Sequence, residues 1–254
     1  MKIRLVCLLL LAAGCSPGLR IARPEAAAPP LAAKGDSAAE GQRSAASGDP
    51  RLRPYDQVIT SRATTREGLF RTHQVGQRLY FEIPAEALNQ EMLLVTKIAR
   101  NSPSGGFGGQ PVGNRVLRWE RRDNRILLRS PSYEITADST HPIFQAVEAA
   151  NFSPILATFE IESQSPDGAA VIEVTRLYTA PPPEFGVGGR VRGSLDRERT
   201  FIEQVAAFPR NVEVQATHTY NVTPRPQPGS NVEPQPRTES MVIHWSMVLL
   251  PENP

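Results

Sequence analysis

Twenty-four prolines punctuate this 254-residue chain, and their clustering constrains its fold more than any other feature. Proline has no amide hydrogen to donate and a fixed φ, so a cluster of prolines stays out of helix interiors and out of the middle of sheets. One group lies near the start, a second at Pro181 to Pro183 and a third between Pro224 and Pro236. These groups mark loops, and the elements that bury a core must fit between them. What fits is a series of short runs rich in Val, Ile, Leu and Thr, bounded by turn residues. Hydrophobic residues make up 40% of the chain and charged residues 21%, an ordinary balance for a protein that buries a core.

Leu69 to His73 and Arg78 to Ile83 read as two strands of a hairpin around Gln74-Val75-Gly76-Gln77. Met92 to Ala99, an apolar run between Pro84 and Pro103, reads as a buried strand. Arg115 to Arg121 and Ile126 to Leu128 make a second hairpin across Asp123-Asn124, and Tyr133 to Thr136 reads as a further short strand. Ile155 to Ile161 and Ala170 to Arg176 flank the turn Ser165-Pro166-Asp167-Gly168. Val212 to Val222 alternates as a long strand, and Met241 to Leu250 is the last. Two segments carry helical spacing instead. Pro142 to Ala150 opens with a proline suited to a first turn and brings Ile143, Ala146, Val147 and Ala150 to one face. Arg199 to Phe208 places Phe201, Ile202, Val205 and Phe208 at helical spacing. The sum is a mainly β fold, a sandwich or barrel-like and mostly antiparallel, with one or two short helices. It is predicted over residues 54–254, either as one domain or as two subdomains at about 54–100 and 101–254.

The start of the chain is of another kind. Met1-Lys2-Ile3-Arg4 supplies two positive charges, and Leu5 to Ala13 is an apolar run too short to cross a bilayer. The run ends in Leu11-Ala12-Ala13-Gly14-Cys15. Small residues before a cysteine are the pattern of a lipoprotein signal, in which the cysteine is acylated and becomes the new N-terminus. Leucine stands one place earlier than in the commonest form, which leaves a plain secretory signal as the alternative. Residues 1–15 are predicted as a signal peptide with Cys15 as the lipid attachment. Each buried methylene of an acyl chain contributes about 0.8 kcal/mol, so two or three chains hold a protein stably. Ser16, rather than aspartate, follows. The predicted location is therefore exported and lipid-anchored, at the outer membrane facing the periplasm or at the cell surface. Residues 16–53 are rich in Ala, Pro, Gly and Ser and are predicted as a disordered tether.

Motifs that carry chemistry are sparse. Both cysteines, Cys7 and Cys15, lie in the first fifteen residues, which leaves the folded part without a disulfide or a thiolate metal site. Zinc peptidases place two histidines one helical turn apart with a glutamate beside the first. None of His73, His141, His218 and His244 is followed by glutamate or lies near another, and each is expected to hold no ligand. Ser102 and Ser104 do not sit in Gly-x-Ser-x-Gly. Neither glycine run, Gly105-Gly106-Phe107-Gly108-Gly109 or Gly186-Val187-Gly188-Gly189, has the spacing that cradles phosphate. The first run is read as a surface loop or as a loop that contacts a partner. Glu82, Glu86, Glu160, Glu162 and Glu173 are the carboxylates from which an acid–base pair would be drawn. All are expected on solvated strand faces, with Glu160 and Glu162 sharing one. Arg118-Trp119-Glu120-Arg121-Arg122 is expected at a hairpin edge with cross-strand ion pairs. A formal charge of +2, with arginines scattered among acidic residues, gives no footprint for nucleic acid.

Several stretches occur in a telling order: Tyr55-Asp56-Gln57-Val58-Ile59-Thr60, Glu67-Gly68-Leu69-Phe70, Leu93-Leu94-Val95-Thr96-Lys97-Ile98-Ala99, and Gly105 to Gly109. They continue with Val116-Leu117-Arg118-Trp119-Glu120-Arg121, Leu127-Leu128-Arg129-Ser130, Asn151-Phe152-Ser153-Pro154-Ile155-Leu156-Ala157, Phe201-Ile202-Glu203, Pro209-Arg210-Asn211-Val212-Glu213-Val214 and Ser246-Met247-Val248-Leu249-Leu250-Pro251. Together they span most of residues 54–251 and resemble the front portion of a family of large bacterial zinc-dependent metalloproteases. The resemblance implies two uncharacterised N-terminal segments preceding a gluzincin-like domain with His-Glu-x-x-His, which would lie beyond Pro254. It implies zinc in that domain alone, and no cofactor, catalytic residue or metal ligand in this chain. As partners it implies a membrane through the lipid anchor, the catalytic domain, and a peptide or protein substrate. Two readings stay open, and with them whether this chain has activity. One is a non-catalytic N-terminal region of a lipid-anchored protease that scaffolds the catalytic domain or shapes substrate access. The other is a stand-alone surface or periplasmic lipoprotein that binds a partner without enzymatic activity.

Overall fold

The computed structural model describes residues 52–138, 140–224 and 235–251. The predicted signal peptide with Cys15, nearly all of the predicted tether and most of the third proline cluster lie outside the described residues. Leu52 packs against the core and the Arg53 N–H donates to Glu162 O at 2.9 Å, so the folded part includes these two residues before Pro54.

Eleven strands, all paired antiparallel, form one sheet among the described residues. In chain order they are β1 (Thr64–Arg66), β2 (Arg71–Val75), β3 (Arg78–Ile83), β4 (Glu91–Asn101), β5 (Gln110–Arg122), β6 (Arg125–Arg129), β7 (Ile155–Gln164), β8 (Ala170–Glu173), β9 (Gly193–Phe208), β10 (Asn211–Val222) and β11 (Arg237–Leu249). Their order across the sheet is β1-β2-β3-β8-β7-β6-β5-β4-β11-β10-β9. Three short helices accompany them: α1 (Tyr55–Val58), α2 (Phe144–Ala150) and α3 (Thr175–Thr179).

The local reasons are those of hairpins and alternation. Val75 pairs with Arg78 across Gly76-Gln77, and Gly76 takes φ 61°, a left-handed value that glycine adopts without strain. Asp123 does the same work at φ 53° between β5 and β6. In β4 the residues Met92, Leu94, Thr96 and Ile98 are buried while their neighbours are not, the period of two that one buried face requires. Pro111 lies inside β5, where the register shifts by a bulge opposite Thr96 and Lys97, so its missing amide spoils no regular ladder bond.

The sheet curls until its two ends touch. The Leu69 N–H donates to Phe208 O at 2.7 Å, and a Cβ on Gly68 would lie 2.6 Å from the Phe208 nitrogen, so only glycine allows this approach. The concave face closes on one core. After β8 the chain turns inward, and α3 with the loop behind it drives Leu177, Tyr178, Phe185 and Val187 into the curl. There Tyr178 meets Phe81, Phe185 and Trp245 edge-on or tilted, at ring separations of 5.3 to 6.2 Å. The two buried indoles keep hydrogen-bond partners: Trp245 Nε1 donates to Phe185 O at 2.8 Å and Trp119 Nε1 points at the Met247 sulfur. The fold is thus mainly antiparallel β and barrel-like, with its interior filled by side chains and by one inserted helix.

Three local expectations are corrected. Arg199 to Phe208 is strand, the second half of β9. Gln204 pairs with Gln215 and Ile202 with Ala216, so Glu203 is an extra residue in a bulge. The bulge flips the alternation, burying Ile202 and Val205 three apart, and a strand with such a flip imitates helical spacing. Tyr133 to Thr136 is irregular, with no partner strand among the described residues. Ala170 to Arg176 divides: β8 ends at Glu173 and Thr175-Arg176 open α3. The Val174 N–H still bonds Leu79 O in register at 2.8 Å, but the Thr175 hydroxyl then accepts from the Leu79 N–H at 2.9 Å in place of a strand carbonyl, and the chain leaves the sheet there.

Candidate functional site

The Gly105 to Gly109 loop joins β4 to β5 and is tied at its base. Asn101 Nδ2 donates to Gly105 O at 2.9 Å, Gln110 Nε2 to Phe107 O at 3.0 Å, and the Gly109 N–H to Ile98 O at 2.7 Å. A Cβ on Gly108 would lie 2.3 Å from Ala99 O, so the loop lies flat on β4 only because that residue is glycine. Between these ties Phe107 stands 86% exposed. A fixed loop presenting one ring suits apolar contact with another molecule. It carries no acid, base or nucleophile at positions 105–109.

The densest titratable cluster lies on the β2–β3 hairpin. Glu82, expected on a solvated face, is 3% exposed. Its Oε2 accepts from Tyr55 Oη at 2.8 Å and from His73 Nε2 at 3.0 Å, and its Oε1 accepts from the Arg71 guanidinium. The other ring nitrogen, Nδ1, meets the Thr65 hydroxyl at 2.8 Å. Arg71 is shared with Glu67 at 2.9 Å. Burial pushes the Glu82 carboxyl up, but the bonds from His73 and Tyr55 and the charge of Arg71 outweigh it, and the carboxyl lies below its ordinary range. Burial and the Glu82 carboxylate push the Tyr55 phenol up to about 12. A cleft of about 280 Å³ lined by Glu67, Leu69, Arg71, Glu82 and Asp167 adjoins the cluster. Both His73 nitrogens are engaged, and the Glu82 carboxylate already accepts three hydrogen bonds. The arrangement orders a hairpin and its α1 neighbour. Register arithmetic alone locates half of it, since a turn pairing 75 with 78 sets Arg71 opposite Glu82. Tyr55 and Thr65 arrive from outside the hairpin, and no local pattern announces them.

The other candidates are committed elsewhere. His218 is fully buried; its Nε2 donates to Tyr178 O at 2.6 Å and its Nδ1 faces Tyr220 Oη at 3.3 Å. Burial holds its pKa below the ordinary histidine value. His244 bonds Glu213 at 3.2 Å. Glu86 is exposed on a single 3-10 turn rather than on a strand. Glu160 pairs with Arg125 at 2.7 Å and Glu162 with Arg53. In the Arg118 to Arg122 run, Glu120 joins Arg118 at 2.8 Å and cross-strand Arg129 at 2.6 Å, while Trp119 is wholly buried and β5 lies inside the sheet rather than at its edge. Among the described residues no three His, Cys, Asp or Glu side chains gather so as to hold a metal ion.

Exposed apolar side chains concentrate in the connection from β6 to β7. Tyr133, Ile135, Ile143 and Phe152 all face solvent there, Phe152 at 74%, and α2 buries no residue at all. The connection is tied to itself by Asn151 Nδ2 donating to Ile135 O at 2.6 Å, and to the body by Tyr133 donating to Glu91 and by the Arg129 guanidinium 4.9 Å over the Phe152 ring. Glu91 O also accepts from the Leu250 N–H at 3.0 Å, and Arg210 O from the Leu249 N–H at 2.8 Å. Tyr133 and half-exposed Phe208 therefore sit at the end of the curl where β11 finishes.

Two family models match the chain, each described as a domain of unknown function: DUF5118 over residues 52–101 and DUF5117 over residues 109–254. No curated protein and no solved structure matches it.

Proposed function

The chain belongs to the DUF5117 family, and on that premise we propose that it is the non-catalytic N-terminal region of a lipid-anchored zinc-dependent metalloprotease. Peptide-bond hydrolysis and zinc belong, in this reading, to a separate catalytic domain, which this region scaffolds or whose substrate access it shapes. The observation that supports the reading best is the row of exposed apolar side chains from Tyr133 to Phe152, with Phe208 at the same end of the curl. Apolar surface gathered on one end of a domain is characteristic of a face that another domain covers. The resemblance of residues 54–251 to the front of such proteases points the same way. A stand-alone binding lipoprotein is the second reading, favoured by the tied loop that holds Phe107 out into solvent.

The test is the intact mass of the native product in membranes of the source cells, detected with an antibody raised against residues 54–251. A membrane-bound product several times heavier than 27.8 kDa, with zinc-dependent peptidase activity in the same immunoprecipitate, is the expected result. A product near 27.8 kDa without activity transfers the case to the binding lipoprotein.

A further inference from the structure

β5 carries one residue that does not suit the face on which it stands. Its register with β4 sets Gly113 opposite Thr96, Arg115 opposite Leu94 and Leu117 opposite Met92. Residues directly opposite share a face of the sheet, and successive residues of a strand alternate faces. Met92, Leu94, Thr96, Leu117 and Trp119 are all buried, so Gly113 and Arg115 look into the curl with them. The Arg115 Nε is buried and has no hydrogen-bond partner, and the half-buried guanidinium makes no ion pair among the described residues. A charge in such a place loses hydration and needs an opposite charge to offset the loss. Elsewhere this chain supplies one: Glu120 holds Arg118 and Arg129, and Glu82 holds Arg71. Arg115 is left without.

Open space lies beside it. A Cβ on Gly113 would meet nothing within 4 Å, although this residue stands on the core side of a strand. The opening belongs to a cleft of about 260 Å³ between β4, β5 and residues 183–190, with Leu94, Val112 and Val187 as its apolar wall. That volume is the share of roughly nine liquid waters, enough for a small ligand and too little for a folded partner. Arg190 lines the same cleft and donates to Val112 O at 3.4 Å, which holds a second cation there; it too makes no ion pair among the described residues. Glu184 is at the rim, exposed, and its carboxylate bonds neither arginine. Two cations against one anion leave the cleft positive.

We propose that this cleft is a binding site for a carboxylate borne on a short apolar group. A guanidinium offers its N–H groups as a planar fork that matches a carboxylate with two bonds at once. Arg115 takes the carboxylate, Arg190 adds charge from the rim, and a small branched side chain on the ligand packs against Leu94, Val112 and Val187. The C-terminal residue of a peptide and a free short-chain acid both carry this chemistry. The inference stands on the β4–β5 register and does not depend on the protease reading.

The experiment titrates the full chain, by isothermal calorimetry, with the tripeptide Gly-Gly-Val, with the same peptide as its C-terminal amide, and with isovalerate. A carboxylate is expected to bind, and the amide to bind weaker than its parent by about tenfold or more. Tighter binding of the tripeptide than of isovalerate assigns the site to a peptide terminus; equal or weaker binding assigns it to a free acid. Arg115→Met is expected to lose binding by about tenfold or more with no fall in melting temperature, since the arginine has no protein partner to lose. Gly113→Leu, at a position whose backbone suits any residue, fills the cleft and gives the same loss without removing a charge. Glu184→Gln takes a like charge from the rim and tightens binding about two- to threefold. No saturable binding of either carboxylate, equal binding of the amide, undiminished binding to Arg115→Met or Gly113→Leu, a marked fall in the melting temperature of Arg115→Met, or weaker binding to Glu184→Gln would each overturn the proposal.

Discussion

The two longer helices of this molecule are opposites. α2 spans seven residues with an amphipathic sequence and buries none of them; α3 spans five, has no amphipathic signature, and puts Leu177 and Tyr178 at the centre of the core. The difference lies in what stands beside them. α3 follows β8 directly and is pulled into the curl by Leu79 and His218, which bond its first turn and its Tyr178 carbonyl. α2 lies within a long connection that meets the sheet at Glu91 and Arg129 and leaves the helix itself uncovered. An apolar stripe states that a helix can be covered; the surrounding sheet decides whether it is.

The sharpest way to break this contrast is to cut α3. Tyr178→Ala leaves a cavity among Phe81, Phe185 and Trp245 and is expected to cost about 3–5 kcal/mol, read as a fall in the denaturant midpoint. If the loss is under about 1 kcal/mol, α3 is not the plug described. Next comes Glu82→Gln, which leaves Arg71 without its buried partner and is expected to cost about 1–3 kcal/mol at pH 7. The Glu82 carboxyl titrates below its ordinary value when folded, so its contribution is present above about pH 4.5 and disappears as the pH falls through the folded value. The gap between the two proteins should close in acid; a constant gap at pH 3 and pH 7 would show that the charge is irrelevant. A smaller effect follows from His218. Its folded pKa lies below the ordinary 6.5, so the unfolded chain takes up the proton first, and stability should decline as the pH drops below about 6.5. In His218→Gln that part of the decline should vanish, as followed by melting temperature. On the bare helix, Ile143→Ser should change stability by less than about 0.5 kcal/mol while reducing binding of a hydrophobic dye. A larger loss would mean that α2 is packed after all.

Much of the sheet was legible from the sequence. β3, β4, β5, β6, β7, β10 and β11 overlap the runs where alternation and turn residues put them, because one-sided burial writes a period of two into the chain, while β2 lies two residues later than expected because Gly76-Gln77 alone makes the turn. What stayed hidden came from long-range contacts. The Glu203 bulge in β9 exists only against β10, and without that partner its spacing reads as helix. The chain leaves the sheet after Val174 because the Thr175 hydroxyl, ninety-six positions beyond Leu79, takes the Leu79 N–H in place of a strand carbonyl. Glu82 looks like any solvated strand glutamate until Tyr55 and His73 enclose it. The cleft beside Arg115 is likewise silent in sequence, since only the register with β4 sets that arginine opposite Leu94.

The order of the strands also sets how the chain must assemble itself. β4, within residues 52–101, lies between β5 and β11, while β3 from the same segment pairs with β8. Neither matched segment can complete its share of the sheet alone, and β4 meets a strand about 150 positions later in the chain. Such distant pairings place this molecule among slow folders, whose half-made sheets expose their edges while waiting for the last strand. The boundary that divides the two families in sequence is therefore not a boundary in time: both must be present before either is finished.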